Sequence, residues 1–231
     1  MRGAAEQFVE RTRQAVADRG RFSVALSGGG TPKAAYELLA TDPFRSRVDW
    51  ARVHVFWGDE RCVPPNDARS NYRMVREALL DHVPLPATNI HRIRGELPPA
   101  DGATDYEAVL ASHFGNESPR FDLVLLGLGT NGHTASLFPG TAVLHEQRRR
   151  AAEVYVAELD MWRVTLTAPA INAAAFAMFL VTGQEKADVV RQVIQGPRDP
   201  ERLPAQLIQP AGELVWLLDR AAAGRLASTS R

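Results

Sequence analysis

The run Phe121-Asp122-Leu123-Val124-Leu125-Leu126 passes straight into Gly127-Leu128-Gly129-Thr130-Asn131-Gly132-His133. An apolar stretch this short, closed by glycines, reads as a strand buried on both faces and ended by a tight polar loop. Other runs of the same kind are Phe22 to Leu26, Val53 to Trp57, Arg163 to Thr167, Phe176 to Val181 and Leu214 to Leu218, with a brief one at Ile90 to Ile93. Helical periodicity separates them. It is carried by Ala5, Phe8, Val9, Thr12 and Val16 before Gly20, and by Ala34, Ala35, Leu38 and Leu39. Residues 70–81, Tyr106 to Phe114 and Gln184 to Ile194 follow the same spacing, and Thr134 to Phe138 is expected to be a short helix. Strands alternating with helices predict an α/β fold with a mostly parallel, doubly wound sheet and helices on both faces. One domain over residues 1–231 is expected. The proline-rich and charged stretches 84–102 and 196–204 read as surface loops, and the tail from Ala222 as frayed.

Composition narrows the function classes. Lys plus Arg and Asp plus Glu are equal at 27 each, so bulk charge gives no reason to expect nucleic acid or an anionic membrane as partner. The single cysteine, Cys62, excludes an internal disulfide and a cysteine-only metal site. The most apolar stretch, Ala173 to Val181, is about half of the roughly 20 residues a spanning helix needs. The charged N-terminal residues interrupt any signal-peptide core. A cytoplasmic protein is expected, as a monomer or weak homo-oligomer.

Three strands end in unusual polar sequences, and ligands of an open parallel sheet sit beyond the carboxyl ends of its strands. The first cluster is Ser27-Gly28-Gly29-Gly30-Thr31-Pro32. Glycines admit an anion close to the backbone, and a helix beginning near Pro32 adds free amides and a positive dipole end. Neither the Walker loop nor the dinucleotide fingerprint is present. The second is Asp59-Glu60-Arg61, where a guanidinium can grip phosphate in two places and the acids can bind sugar hydroxyls or orient the arginine. A plain surface turn with a salt bridge is the competing reading. The third is Gly127 to His133, which holds an imidazole suited to general-base work at neutral pH.

The remaining features read as ordinary. Cys62 reads as a packing residue. His54, His82, His91, His113 and His145 lack partners at ligand spacing, and Arg148-Arg149-Arg150 reads as a solvated loop. Arg163 and Lys186 can each add charge to a phosphate site or simply face solvent. No Gly-x-Ser-x-Gly elbow is present.

The stretches LSGGGTPKAAYELL, VFWGDERCVPPNDARSNYRMVREALL, FDLVLLGLGTNGHTASLFPGT, RVTLTAPAIN and VTGQEKADVV together resemble the 6-phosphogluconolactonases of the glucosamine-6-phosphate isomerase/6-phosphogluconolactonase family. The likeness runs from about residue 4 to 220. It implies a Rossmann-like, glucosamine-6-phosphate deaminase-like fold and hydrolysis of 6-phospho-D-glucono-1,5-lactone without cofactor or metal. By the same resemblance His133 is the base. Ser27, Gly28, Gly29, Gly30, Thr31 and Arg61 clamp the phosphate, with Arg163 and Lys186 in support. Asp59 is a polar active-site residue, and Asn131 contacts hydroxyls or water. The family usually has Asp where this chain has Asn131, which removes a charge beside the histidine. The related deaminases carry Tyr in place of Arg61 and a different run after the histidine. A deaminase or isomerase and a non-catalytic sugar-phosphate binder are the alternatives.

Overall fold

A computed structural model describes residues 1–115 and 119–227. Helix α1 (Arg2–Arg19) buries Ala4, Ala5, Phe8, Val9, Thr12 and Ala15, and ends where Gly20 turns left-handed at φ 72°. Strand β1 (Phe22–Leu26) is buried throughout. Then follow α2 (Gly30–Leu39), β2 (Val53–Trp57), β3 (Asp59–Arg61), α3 (Asn71–Ala78) and β4 (Ile90–His91). After them come α4 (Pro99–Phe114), β5 (Leu123–Leu126), β6 (Ala151–Val156), β7 (Met161–Leu166), α5 (Ala168–Asn172), β8 (Phe176–Val181), α6 (Ala187–Gln195) and β9 (Glu213–Leu218).

Six strands form one sheet in the order β4-β2-β1-β5-β8-β9, and all its pairings are parallel. From β1 the chain winds outward through β2 to β4, then returns to β5 and winds the other way. This is the doubly wound α/β arrangement, and its switch point lies between β1 and β5, where such sheets open a crevice at their carboxyl ends. The Ser27–Thr31 and Gly127–His133 loops leave those two strands. The inner strands β1, β5 and β8 are wholly buried, as their unbroken apolar runs require.

The second sheet, β3-β7-β6, is antiparallel. The sequence reading places Asp59-Glu60-Arg61 as a polar close to β2 and expects no strand there, but these residues are a strand pairing with β7, and β6 has no counterpart in that reading. Three residues carry too little periodicity to show a strand, and their partner lies about a hundred positions away. Helix α4 starts at Pro99, inside the stretch expected to be loop. The expected helix over Thr134 to Phe138 is a turn closed by a Thr134–Leu137 bridge, with Ala135 at φ 47°. Ala222, expected to begin a frayed tail, is fully buried, and its N–H donates to Asp219 Oδ1 at 2.7 Å. The expectation for the last residues, 228–231, lies outside the described residues. No helix among the described residues is long and apolar enough to cross a membrane.

Candidate active site

Tyrosine hydroxyls fix two of the strand ends that frame the crevice. Tyr36 Oη accepts from Ser27 N–H and donates to Ser27 C=O, both at 3.0 Å, while Tyr106 Oη clamps Trp57 N–H and C=O at 3.0 and 2.8 Å. Beyond β1 the chain bends at Gly29, whose φ of 102° favours glycine, and α2 starts at Gly30 with its first amides unpaired. A side chain at Gly28 would collide with Asn71.

Beyond β5, Gly132 (φ 81°) reverses the chain so that Gly129 N–H reaches His133 C=O at 2.9 Å. The imidazole lies flat on Phe138, with ring centroids 3.9 Å apart, and occupies the space a Cβ on Gly129 would take. His133 Nδ1 is 2.6 Å from Asn131 Oδ1, an acceptor, so Nδ1 carries the proton and Nε2 keeps its lone pair. Burial holds its pKa well below the usual value, at about 4; Asp59 pulls upward, and Arg163, Lys186 and Arg61 push further down. At neutral pH the ring is therefore an uncharged base.

Pairing of β3 with β7 sets Arg61 directly opposite Arg163. Like charges facing each other across strands destabilise the pair, and an anion between them reverses the sign. Arg163 is buried at 7% exposure, with Nη1 3.6 Å from Asp59 Oδ2. Asp59 also accepts from Ser136 Oγ at 2.6 Å and from Asn71 Nδ2 at 3.2 Å. Ser27 Oγ, Arg61 Nε and Arg163 Nε are buried without a hydrogen-bond partner among the described residues. Three orphaned polar groups in residues lining one cleft are the mark of a site shaped for a charged guest.

That cleft, of about 300 Å³, is lined by Ser27, Gly28, Gly29, Gly30, Thr31, Asp59, Arg61, His133, Arg163 and Lys186. Every residue the sequence assigns to the site is there except one. Asn131 does not line this cleft; it sits behind His133, holding the ring, and faces a second cavity. Its amide oxygen is engaged by the His133 ring and backbone. The sequence also leaves Glu60 open to a ligand, but Glu60 is buried and accepts from Arg61, Asn71 and Tyr72 N–H and from Ser70 Oγ. It fixes the start of α3. Asn71, Ser136 and Thr165 support the site without any distinguishing mark in the sequence. Burial raises the Cys62 thiol to about 11, in keeping with a packing role.

Three of the histidines read as isolated are in fact neighbours. His54, His91 and His113 bring ligand-type nitrogens within 4.8 Å of one another. His54 Nδ1 lies 3.2 Å from His91 Nε2, with ring centroids 5.5 Å apart and planes only 19° from parallel. The two nitrogens lie within hydrogen-bond reach, and which one donates depends on the tautomers. His113 Nε2 meets Ser23 Oγ at 2.8 Å. The group is internally satisfied.

The family model for glucosamine-6-phosphate isomerases/6-phosphogluconolactonase matches residues 1–216. This chain belongs to that family. It is 45% identical over 221 residues to a 6-phosphogluconolactonase of Synechocystis, covering 94% of this chain and 89% of the relative. The solved 6-phosphogluconolactonase of Trypanosoma cruzi superposes with a TM-score of 0.86 at 30% identity, over 97% of this chain and 92% of that one. A monomeric glucosamine-6-phosphate deaminase shares the fold, with a TM-score of 0.81 at 20% identity over 96% and 93%.

Proposed function

We propose that the protein is a 6-phosphogluconolactonase, hydrolysing 6-phospho-D-glucono-1,5-lactone to 6-phosphogluconate. One observation carries the reading. A neutral imidazole with a free Nε2 shares a cleft with two opposed arginines, a lysine and a glycine-rich helix start. The anion-binding groups take the phosphate, with the amides at Gly29 to Thr31 and the guanidinium of Arg61 as the principal donors and Arg163 and Lys186 adding charge. Held at that end, the sugar presents its C1 carbonyl to a water beside His133, so phosphate binding energy is used for orientation.

Nε2 takes a proton as the water oxygen bonds to C1. The ring C1–O bond then breaks, and the imidazolium returns the proton to the departing ring oxygen, leaving a hydroxyl and a carboxylic acid that ionises. Asp59, with both oxygens engaged, holds Arg163 in place and steadies the positive imidazole instead of attacking. The reaction calls for no metal or redox group. The cytoplasm is the compartment proposed for it.

Freshly prepared 6-phosphogluconolactone supplies the test, with spontaneous ring opening subtracted. Wild-type protein is expected to accelerate hydrolysis, and His133→Ala to lose roughly 100- to 10,000-fold in kcat while still binding 6-phosphogluconate. Full activity in that variant removes His133 as base. Ammonia release from glucosamine-6-phosphate without lactone turnover replaces the reading by a deaminase.

A further inference from the structure

Asn131 is held at both ends. Its Oδ1 accepts from the His133 backbone N–H at 3.2 Å and meets the ring Nδ1 at 2.6 Å, while its Nδ2 donates to Glu158 Oε1 at 3.0 Å. A carboxylate only accepts, so the amide nitrogen has to face Glu158 and the amide oxygen has to face the imidazole. The reversed amide would set its NH₂ against two donors and its oxygen against a carboxylate. Orientation of the amide in turn decides which ring nitrogen carries the proton.

Glu158 lies in the 3₁₀ turn Ala157–Leu159 between β6 and β7. With Asn131 it lines a cavity of about 880 Å³ on the far side of that asparagine, and it is not among the residues lining the smaller cleft. Its exposed carboxylate is joined to the imidazole through the amide of Asn131. The charged groups acting most strongly on His133 are Asp59, which favours the imidazolium, and Arg163, Lys186 and Arg61, which oppose it.

We infer that Glu158 is a positioning residue that works through Asn131, fixing the tautomer of His133 and polarising the amide that steadies the imidazolium. A hydrogen-bonded chain ending in a carboxylate makes the amide oxygen a stronger acceptor than an isolated amide. The neutral Asn131 thereby passes on a charge that it does not carry itself. This inference rests on His133 being the base.

The experiment uses the full chain with the lactone assay. Glu158→Gln keeps an acceptor for Nδ2 and removes the charge. It is expected to lower kcat roughly 3- to 10-fold with KM nearly unchanged, and to move the acid limb of kcat to lower pH, since a lost negative charge disfavours the imidazolium. Glu158→Ala, which also frees the amide, falls further. Asn131→Asp puts a carboxylate directly on Nδ1–H, so adding Glu158→Gln in that background is expected to cost nothing, or to help by removing a like charge. Wild-type kcat and acid limb in both Glu158 variants, or an equal fall with Asp at position 131, overturns the inference while lactonase activity and the effect of His133→Ala still stand. Full activity in His133→Ala removes the base assignment first, and the role of Glu158 with it.

Discussion

His133 and the group of His54, His91 and His113 are alike in burial and differ in what surrounds them. Burial drives down the pKa of His133 to about 4, of His91 to about 4 and of His113 to about 3, and it lowers His54 as well. Around the three-histidine group, the ring nitrogens bond to each other and to Ser23, and Phe56, Phe114 and Phe121 pack against them or against one another. Around His133, by contrast, one ring nitrogen is held and the other is free, two arginines face each other, and buried donors in the cleft lack partners. A displaced pKa thus marks burial in both places. Unsatisfied groups and opposed like charges mark only one of them as built for a ligand.

The harshest test of this contrast removes one of the opposed charges. Arg163→Met is expected to lower kcat/KM by about 100-fold, mostly through KM, because a buried hydrogen-bonded charge pair is costly to break. With one cation gone, the acid limb of kcat/KM is also expected to rise. An unchanged KM in steady-state kinetics breaks the claim that these arginines hold the phosphate.

A second expectation concerns pH. The acid limb of kcat/KM reports the free enzyme and is expected near 4, the value burial sets for His133, not near the ordinary 6.5. The limb of kcat reports the complex and is expected at higher pH, because bound phosphate offsets the three cations that disfavour the imidazolium. Coincident limbs in the two profiles would show that phosphate and base do not sense each other.

The smallest effect on activity is expected at the other region. His91→Phe combined with His113→Phe should leave kcat and KM within about twofold, because neither residue lines the cleft. Stability is where it acts. Both histidines are depressed below their unfolded value, so the stability tied to their neutral forms is present above about pH 6.5 and is lost as pH falls toward 4 and 3. Urea midpoints measured from pH 7 down to 4 should fall less steeply in the double variant. A large loss of activity instead would give this group a functional role and erase the contrast.

The strands that build the parallel sheet were legible because each is a continuous apolar run, and the cleft-lining loops were legible because glycine, serine and threonine break those runs abruptly. Arg163 and Lys186 were harder. A lone cation on a strand or at a helix start resembles countless solvated ones, yet Arg163 is almost wholly buried. Nothing local says which way a loop amide turns, so the bonds of Asn131 to His133 and Glu158 are not legible in the sequence. The three histidines were read as separate because they lie 37 and 22 positions apart in the chain, and only the β2–β4 pairing and the end of α4 bring them together.

Local pattern alone therefore determined the α/β class, the parallel sheet and the two glycine-rich loops, one of which carries His133. These follow from periodicity and backbone freedom, which are properties of neighbouring residues. The tertiary structure alone decided that β3 pairs with β7, that Arg61 faces Arg163, that Glu60 fixes a helix start, and that Asn131 links His133 to Glu158. Each depends on the orientation of a side chain toward a partner distant in the chain or on another element, and those orientations are set by packing of the whole molecule.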